Sequence, residues 1–189
     1  MLNRLMRKLE HALHTGTLIR LERELESGYA SGYVIAVGTR WVHLAIVSDD
    51  ILPAGYQAFR TDDISVFHDP APHADFVEAA LLLRSVRKPA PLKIDMTDAG
   101  SILATAHQAF DIVTIHREID DPEICHIGQV HSLNDKNVCL IEVTSDAVLE
   151  DVPRCYPLND ITRIDFGGPY EDALASVCLK TYRRPLGQW

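Results

Sequence analysis

Apolar positions along the chain follow two periods. At the start, Leu2, Leu5, Met6, Leu9, Ala12 and Leu13 keep helical spacing, with Arg4, Arg7 and Lys8 off the stripe. This predicts a helix over roughly residues 2–14. Short runs rich in β-branched and aromatic residues follow near 18–26, 32–38, 41–48, 56–61 and 64–67. A second helical pattern covers 73–86. The same order then returns: a helix near 98–109, β-rich runs near 112–119, 126–133, 137–144, 154–158 and 161–166, and a helix near 169–181. Thr97 or Asp98 suits the N-cap of the second leading helix, and Pro169 suits the first turn of the last one. The segment from Arg87 to Leu92 holds two prolines and reads as the linker between the two sets.

The two sets are copies. Residues 32–50 align without gaps on residues 128–146, and six of the 19 positions are identical: Gly32/Gly128, Val34/Val130, Val42/Val138, Leu44/Leu140, Val47/Val143 and Asp50/Asp146. Upstream, Leu21-Glu22-Arg23-Glu24-Leu25 matches Ile115-His116-Arg117-Glu118-Ile119. Downstream, Asp63-Ile64 matches Asp160-Ile161. Two domains are therefore expected, 1–91 and 92–189, each a helix, five strands and a closing helix.

The second and third strands of each copy read as a hairpin. Gly38 and Asn134 stand in its turn, and both residue types tolerate a left-handed backbone. Gly32 and Gly128 sit inside a strand, which marks a sharp bend or a close backbone approach. A helix followed by five strongly bent strands resembles the Sm-like fold. In the second copy Gly128, Val130, Asp135 and Val138 stand at the spacing of the first Sm motif. In the first, Gly32, Val34 and Val42 are kept and Thr39 takes the acidic place. The resemblance implies a mainly β (α+β) chain built as two tandem Sm-like five-stranded small barrels. It also implies RNA contact through an Asp-x-x-aliphatic-Asn loop and an Arg-Gly pair. Val42 and Val138 stand where that Asn would be, and no Arg-Gly occurs near 64–67 or 161–166. Open strand edges template further strands. Edges are thus expected to pair between barrels, giving a homo-oligomer; three chains would make a ring of six barrels.

Charge refines the choice of partner. The chain has 189 residues and a net charge of −9. Residues 1–95 carry 11 basic and 12 acidic side chains, and residues 96–189 carry 7 and 15. An acidic surface repels a phosphate backbone, so RNA is the alternative partner and not the leading one. Its contacts would be Arg4, Arg7, Lys8, Arg20 and Arg23, with Arg183 and Arg184 the other basic concentration. A protein partner fits the acidic loop at 118–123. No apolar run is long enough for a membrane span and no secretory leader is read at the start, so a cytoplasmic location is expected.

Catalytic chemistry finds no motif. G-x-S-x-G, the P-loop and G-x-G-x-x-G are all absent. Cys125, Cys139, Cys155 and Cys178 form no C-x-x-C and read as buried, reduced thiols. His116, Cys125, His126, His131 and Cys139 lie close in sequence, but His126 and His131 differ by five and would face opposite sides of one strand. Asp49-Asp50 and Asp120-Asp121 read as loop charges. Asp63 and Asp160 recur in both copies, as turn-capping residues would. No catalytic residue, cofactor or metal is expected.

Overall fold

The computed structural model describes residues 2–179. Among them the chain runs α1 (Leu2–Thr15), β1 (Leu18–Arg23), β2 (Ala30–Val37), β3 (Trp41–Val47), β4 (Pro53–Arg60), β5 (Ile64–His68) and α2 (Ala74–Leu83). The second half repeats this as α3 (Ala99–Ala109), β6 (Val113–His116), β7 (Cys125–Leu133), β8 (Asn137–Glu142), β9 (Arg154–Pro157), β10 (Arg163–Phe166) and α4 (Pro169–Cys178). A single 3-10 turn joins the fourth and fifth strands of each half, at Thr61–Asp63 and Leu158–Asp160. Asp98 Oδ1 caps α3 by accepting from Ser101 N–H at 2.8 Å, and Pro169 opens α4.

All ten strands lie in one open antiparallel sheet, in the order β5-β1-β2-β3-β4-β10-β6-β7-β8-β9. Two separately closed barrels are not what forms. The free side of β4 is taken by β10, so the first set of five continues into the second. Within each half the strand order is nevertheless the same.

The bends are duplicated too. The β2–β3 register shifts between Val34 and Ala36, and the β7–β8 register shifts between Val130 and Ser132, 96 residues later. A Cβ on Gly32 would lie 2.2 Å from Ala45 O, and one on Gly128 would lie 2.3 Å from Ile141 O. Both glycines are there because the neighbouring backbone comes too close for a side chain. The turn residues need a different explanation. Neither Gly38 nor Asn134 has a positive φ. A Cβ on Gly38 would meet Met96 O at 2.1 Å, whereas Asn134 Oδ1 accepts from Lys136 and Asn137 N–H. The left-handed residues lie one hairpin later, at Ile51 and Ala147, both with φ near 57°.

Each half has its own core, with the leading helix on one face and the closing helix on the other. Leu9 and Ala12 of α1 pack on Ile19, Leu21, Val42, Leu44 and Phe59. Leu13, on the predicted stripe, is exposed. Ile102, Leu103 and Ala106 of α3 pack on Ile115, Val138, Leu140 and Ile164. This second core also takes in Trp41, Ala45, Tyr56 and Ala58 from the first half. The outer faces are covered by α2 through Leu81 and by α4 through Leu174.

Candidate functional site

The seam between the halves brings most of the buried polar groups together. Its ladder pairs Tyr56 with Phe166, Gln57 with Asp165, Ala58 with Ile164 and Phe59 with Arg163. Beside the ladder, the Arg23 guanidinium is fully buried and grips Glu118 of the other half, Nη1 to Oε2 at 2.9 Å and Nη2 to Oε1 at 2.5 Å. It also donates to Glu26 and lies 4.9 Å over the Phe59 ring. Thr162 Oγ1 donates to Glu118 at 2.7 Å. Burial works against the ionised form of Glu118, but the bonds from Arg23 and Thr162 outweigh it and keep its carboxyl below the usual range.

A second pair completes the cluster. Arg163 holds both Asp165 oxygens, Nε to Oδ1 at 2.9 Å and to Oδ2 at 3.1 Å with Nη2 to Oδ2 at 2.8 Å, and reaches back to Glu26 at 2.8 Å. His116 and Gln57 approach the same Asp165 oxygen. Burial again opposes ionisation of Asp165, and the Arg163 charge and the His116 contact overcome it. Two arginines thus neutralise most of three carboxylates across the seam. Nothing in this arrangement leaves an open acid or base; its chemistry is fastening.

His43 lies on the aromatic side of the seam, with the Tyr56 and Phe166 rings each 5.3 Å away. It is fully buried, and neither ring nitrogen has a hydrogen-bond partner among the described residues. Burial lowers its pKa to about 3, so the ring is neutral.

The second half carries a polar group that the first lacks. Tyr156 donates to Glu142 Oε1, and His126 Nδ1 lies 3.0 Å from the same oxygen and 2.9 Å from the tyrosine oxygen. Burial and the Glu142 contact raise the Tyr156 pKa, which keeps it a donor. The matching residues of the first half are Ala30, Ile46 and Phe59, all apolar core. Arg154 lies 3.6 Å from the other Glu142 oxygen, and His126 Nε2 is buried with no hydrogen-bond partner among the described residues.

Among the described residues two strands have a single neighbour each, β5 and β9. An open groove of 440 Å³ runs along β5, lined by Arg4, Lys8, Asp62, Ile64 and Phe67 among others. At the far end, Cys139 of β8 and Cys155 of β9 face each other in register and form a disulfide. This corrects the reading of four buried, reduced thiols: the pair is oxidised, and Cys125 and Cys155 are exposed. The hairpin geometry, which places directly opposed Cβ atoms within bonding reach, is the reason.

The basic residues singled out in the sequence do not gather at one site. Arg4, Arg7 and Lys8 are exposed on one flank of α1. Arg20 stacks 3.6 Å over Tyr29 and donates to Ser31, and Arg23 is consumed by the seam. Arg183 and Arg184 lie outside the described residues. Asp63 and Asp160 close the two 3-10 turns, but neither caps one through its side chain. Asp63 is partly buried and burial raises its pKa, while Asp160 lies 3.6 Å from Arg117. Of the histidines and cysteines considered as ligands, His116 and His126 are taken by carboxylates and Cys139 by its disulfide.

The seam partners Glu118, Arg163 and Asp165 were missed. Arg23 and Glu118 are 95 residues apart, and the only available signal was the duplicated Arg-Glu step in Glu22-Arg23-Glu24 and His116-Arg117-Glu118. No helix among the described residues is long and apolar enough to cross a membrane. Set against protein-family models, curated proteins and solved structures, the chain matches none.

Proposed function

We propose that the chain is a non-catalytic binding and assembly protein, made of two tandem Sm-like five-stranded units in one open sheet, that forms a homo-oligomer through strand edges. The β4–β10 ladder carries this reading: an edge of one copy is a working partner for an edge of the other. The recurrence of strand order, bulge and bend glycine in both halves supports the duplication on which it rests. The seam cluster supports a structural role, since its buried charges are paired with one another. Light scattering after size exclusion at tens of micromolar tests the proposal. A mass above 21.1 kDa is expected, and a strict monomer would overturn it.

A second reading, RNA association through a basic face, draws on the joint exposure of Arg4, Arg7 and Lys8 on α1. Filter binding at low salt decides it, and the absence of salt-sensitive retention rules it out. The cytoplasm remains the proposed compartment, with Cys139–Cys155 then a redox-responsive pair.

A further inference from the structure

The two free edges are not equivalent. In an antiparallel strand, the N–H and C=O of one residue point to the same side, and the side alternates along the chain. On β4, Arg60 N–H donates to Thr162 O on the β10 side, while Thr61 N–H donates to Arg40 O on the other. Tyr56, Ala58 and Arg60 therefore face β10.

The alignment places Pro153, Cys155 and Pro157 at the same positions of β9. The second half agrees directly: Leu158 N–H donates to Lys136 O, so Tyr156 and Arg154 face β8 and residues 153, 155 and 157 face outward. Proline has no N–H. Two of the three outward donors that β4 uses are gone from β9, which is how natural sheets blunt an edge.

The other edge keeps its donors. Ile164 and Phe166 face β4 as the partners of Ala58 and Tyr56. Their counterparts on β5 are Phe67 and Asp69, and neither is proline; Ser65 is the extra residue at the β1–β5 register shift, and its counterpart Thr162 donates its N–H inward to His116 O. The side of β10 equivalent to the free side of β5 is the one that β4 fills in the second half, and a groove lined by α1 and β5 runs beside it.

We infer that β5 is the assembly edge and that its occupant is β5 of a second copy, paired antiparallel about a two-fold axis near Phe67. This rests on the assembly reading and narrows it from a ring to a closed dimer. A head-to-tail contact would need β9 as the incoming strand, and β9 keeps only the Cys155 donor of the three that β4 uses. Self-pairing of β5 joins two complete edges, and the groove bears both signs of charge, Arg4 and Lys8 with Asp62, as an isologous contact requires. The dimer leaves β9 at both ends of a continuous sheet, so growth stops there.

The experiment combines light scattering with amide hydrogen exchange on the full chain. Wild type should have twice the 21.1 kDa chain mass, with the Phe67 amide protected and Cys155 exchanging. Phe67→Pro removes the central outward donor and should return the monomer mass at the same concentration. Pro153→Tyr with Pro157→Arg gives β9 the residues of β4 and should produce masses beyond the dimer. A larger wild-type assembly with a protected Cys155 amide would overturn the inference and leave the assembly reading standing. So would a wild-type oligomer whose Phe67 amide exchanges freely and whose mass survives Phe67→Pro. A double variant that stays dimeric would show that the prolines do not close β9. A monomeric wild type would overturn both. If Phe67→Pro fails to fold, wild-type exchange at Phe67 and Cys155 decides alone.

Discussion

β3 and β8 occupy equivalent places in the two halves, yet all seven residues of β3 are buried and only two of the six in β8 are. The difference comes from the neighbour. Beyond β3 and β4 the sheet continues into the second half, whose Phe166 and Phe110 cover the seam. Beyond β8 and β9 there is no further strand among the described residues. The residues have diverged to suit. His43 sits opposite Ala58 in the covered hairpin, and Cys139 sits opposite Cys155 in the uncovered one. Arg60 donates across the seam where Pro157 cannot. One strand pattern thus tolerates two environments: packing secures the inner hairpin, and a covalent bond and prolines secure the outer one.

The sharpest way to break this comparison is to remove the same arginine from each half. Arg23→Met strands the buried Glu118 carboxylate and should cost about 3–5 kcal/mol in urea unfolding. Arg117→Met removes partners that are themselves a third to a half exposed, Asp120, Asp121 and Asp160, and should cost at most about 1 kcal/mol. Equal costs would mean that the seam confers nothing special. Reduction of Cys139–Cys155, whose residues are 16 apart, comes next. It should lower stability by roughly 3 kcal/mol, with exchange rising in β9 and not in β4.

A smaller effect depends on pH. His43 has a folded pKa near 3 against an ordinary value of 6.5, so the unfolded chain binds its proton first. Stability from this group is complete above pH 6.5 and falls as acid is added, by up to about 1.4 kcal/mol per pH unit. His43→Leu should flatten that slope between pH 6 and 4 in thermal melts. No matching slope can arise at Cys139, its counterpart. The smallest effect should be symmetric. Ala147→Gly relieves a left-handed φ of 57° and should raise stability by about 1 kcal/mol, with exchange slowing in the Thr144–Val148 turn. A loss would show that this turn is set by something other than backbone strain.

Much of the architecture was legible because it is local. Alternation gave the strands, Asp98 and Pro169 marked two helix starts, and the repeat fixed how many units to expect. The seam was not legible, because strand edges pair through backbone groups that every residue carries. Arg23 read as a surface charge: its partner Glu118 is close only once β10 has inserted beside β4. The disulfide needed register, which spacing alone does not supply. Gly38 and Asn134 misled in a simpler way, since each is suited to a positive φ and each serves another purpose here.

The sheet order also sets a timetable for synthesis. β4 finds its outer partner only in β10, with Gln57 and Asp165 separated by 108 residues. At the usual pace of translation, the finished β4 edge waits roughly 5–20 s for the strand that covers it. During that interval the nascent chain displays an unpaired edge with its donors intact, close to the ribosome and to other emerging copies. Crowded translation therefore exposes this protein to mispairing before its second half exists, and holding chaperones would act on β4.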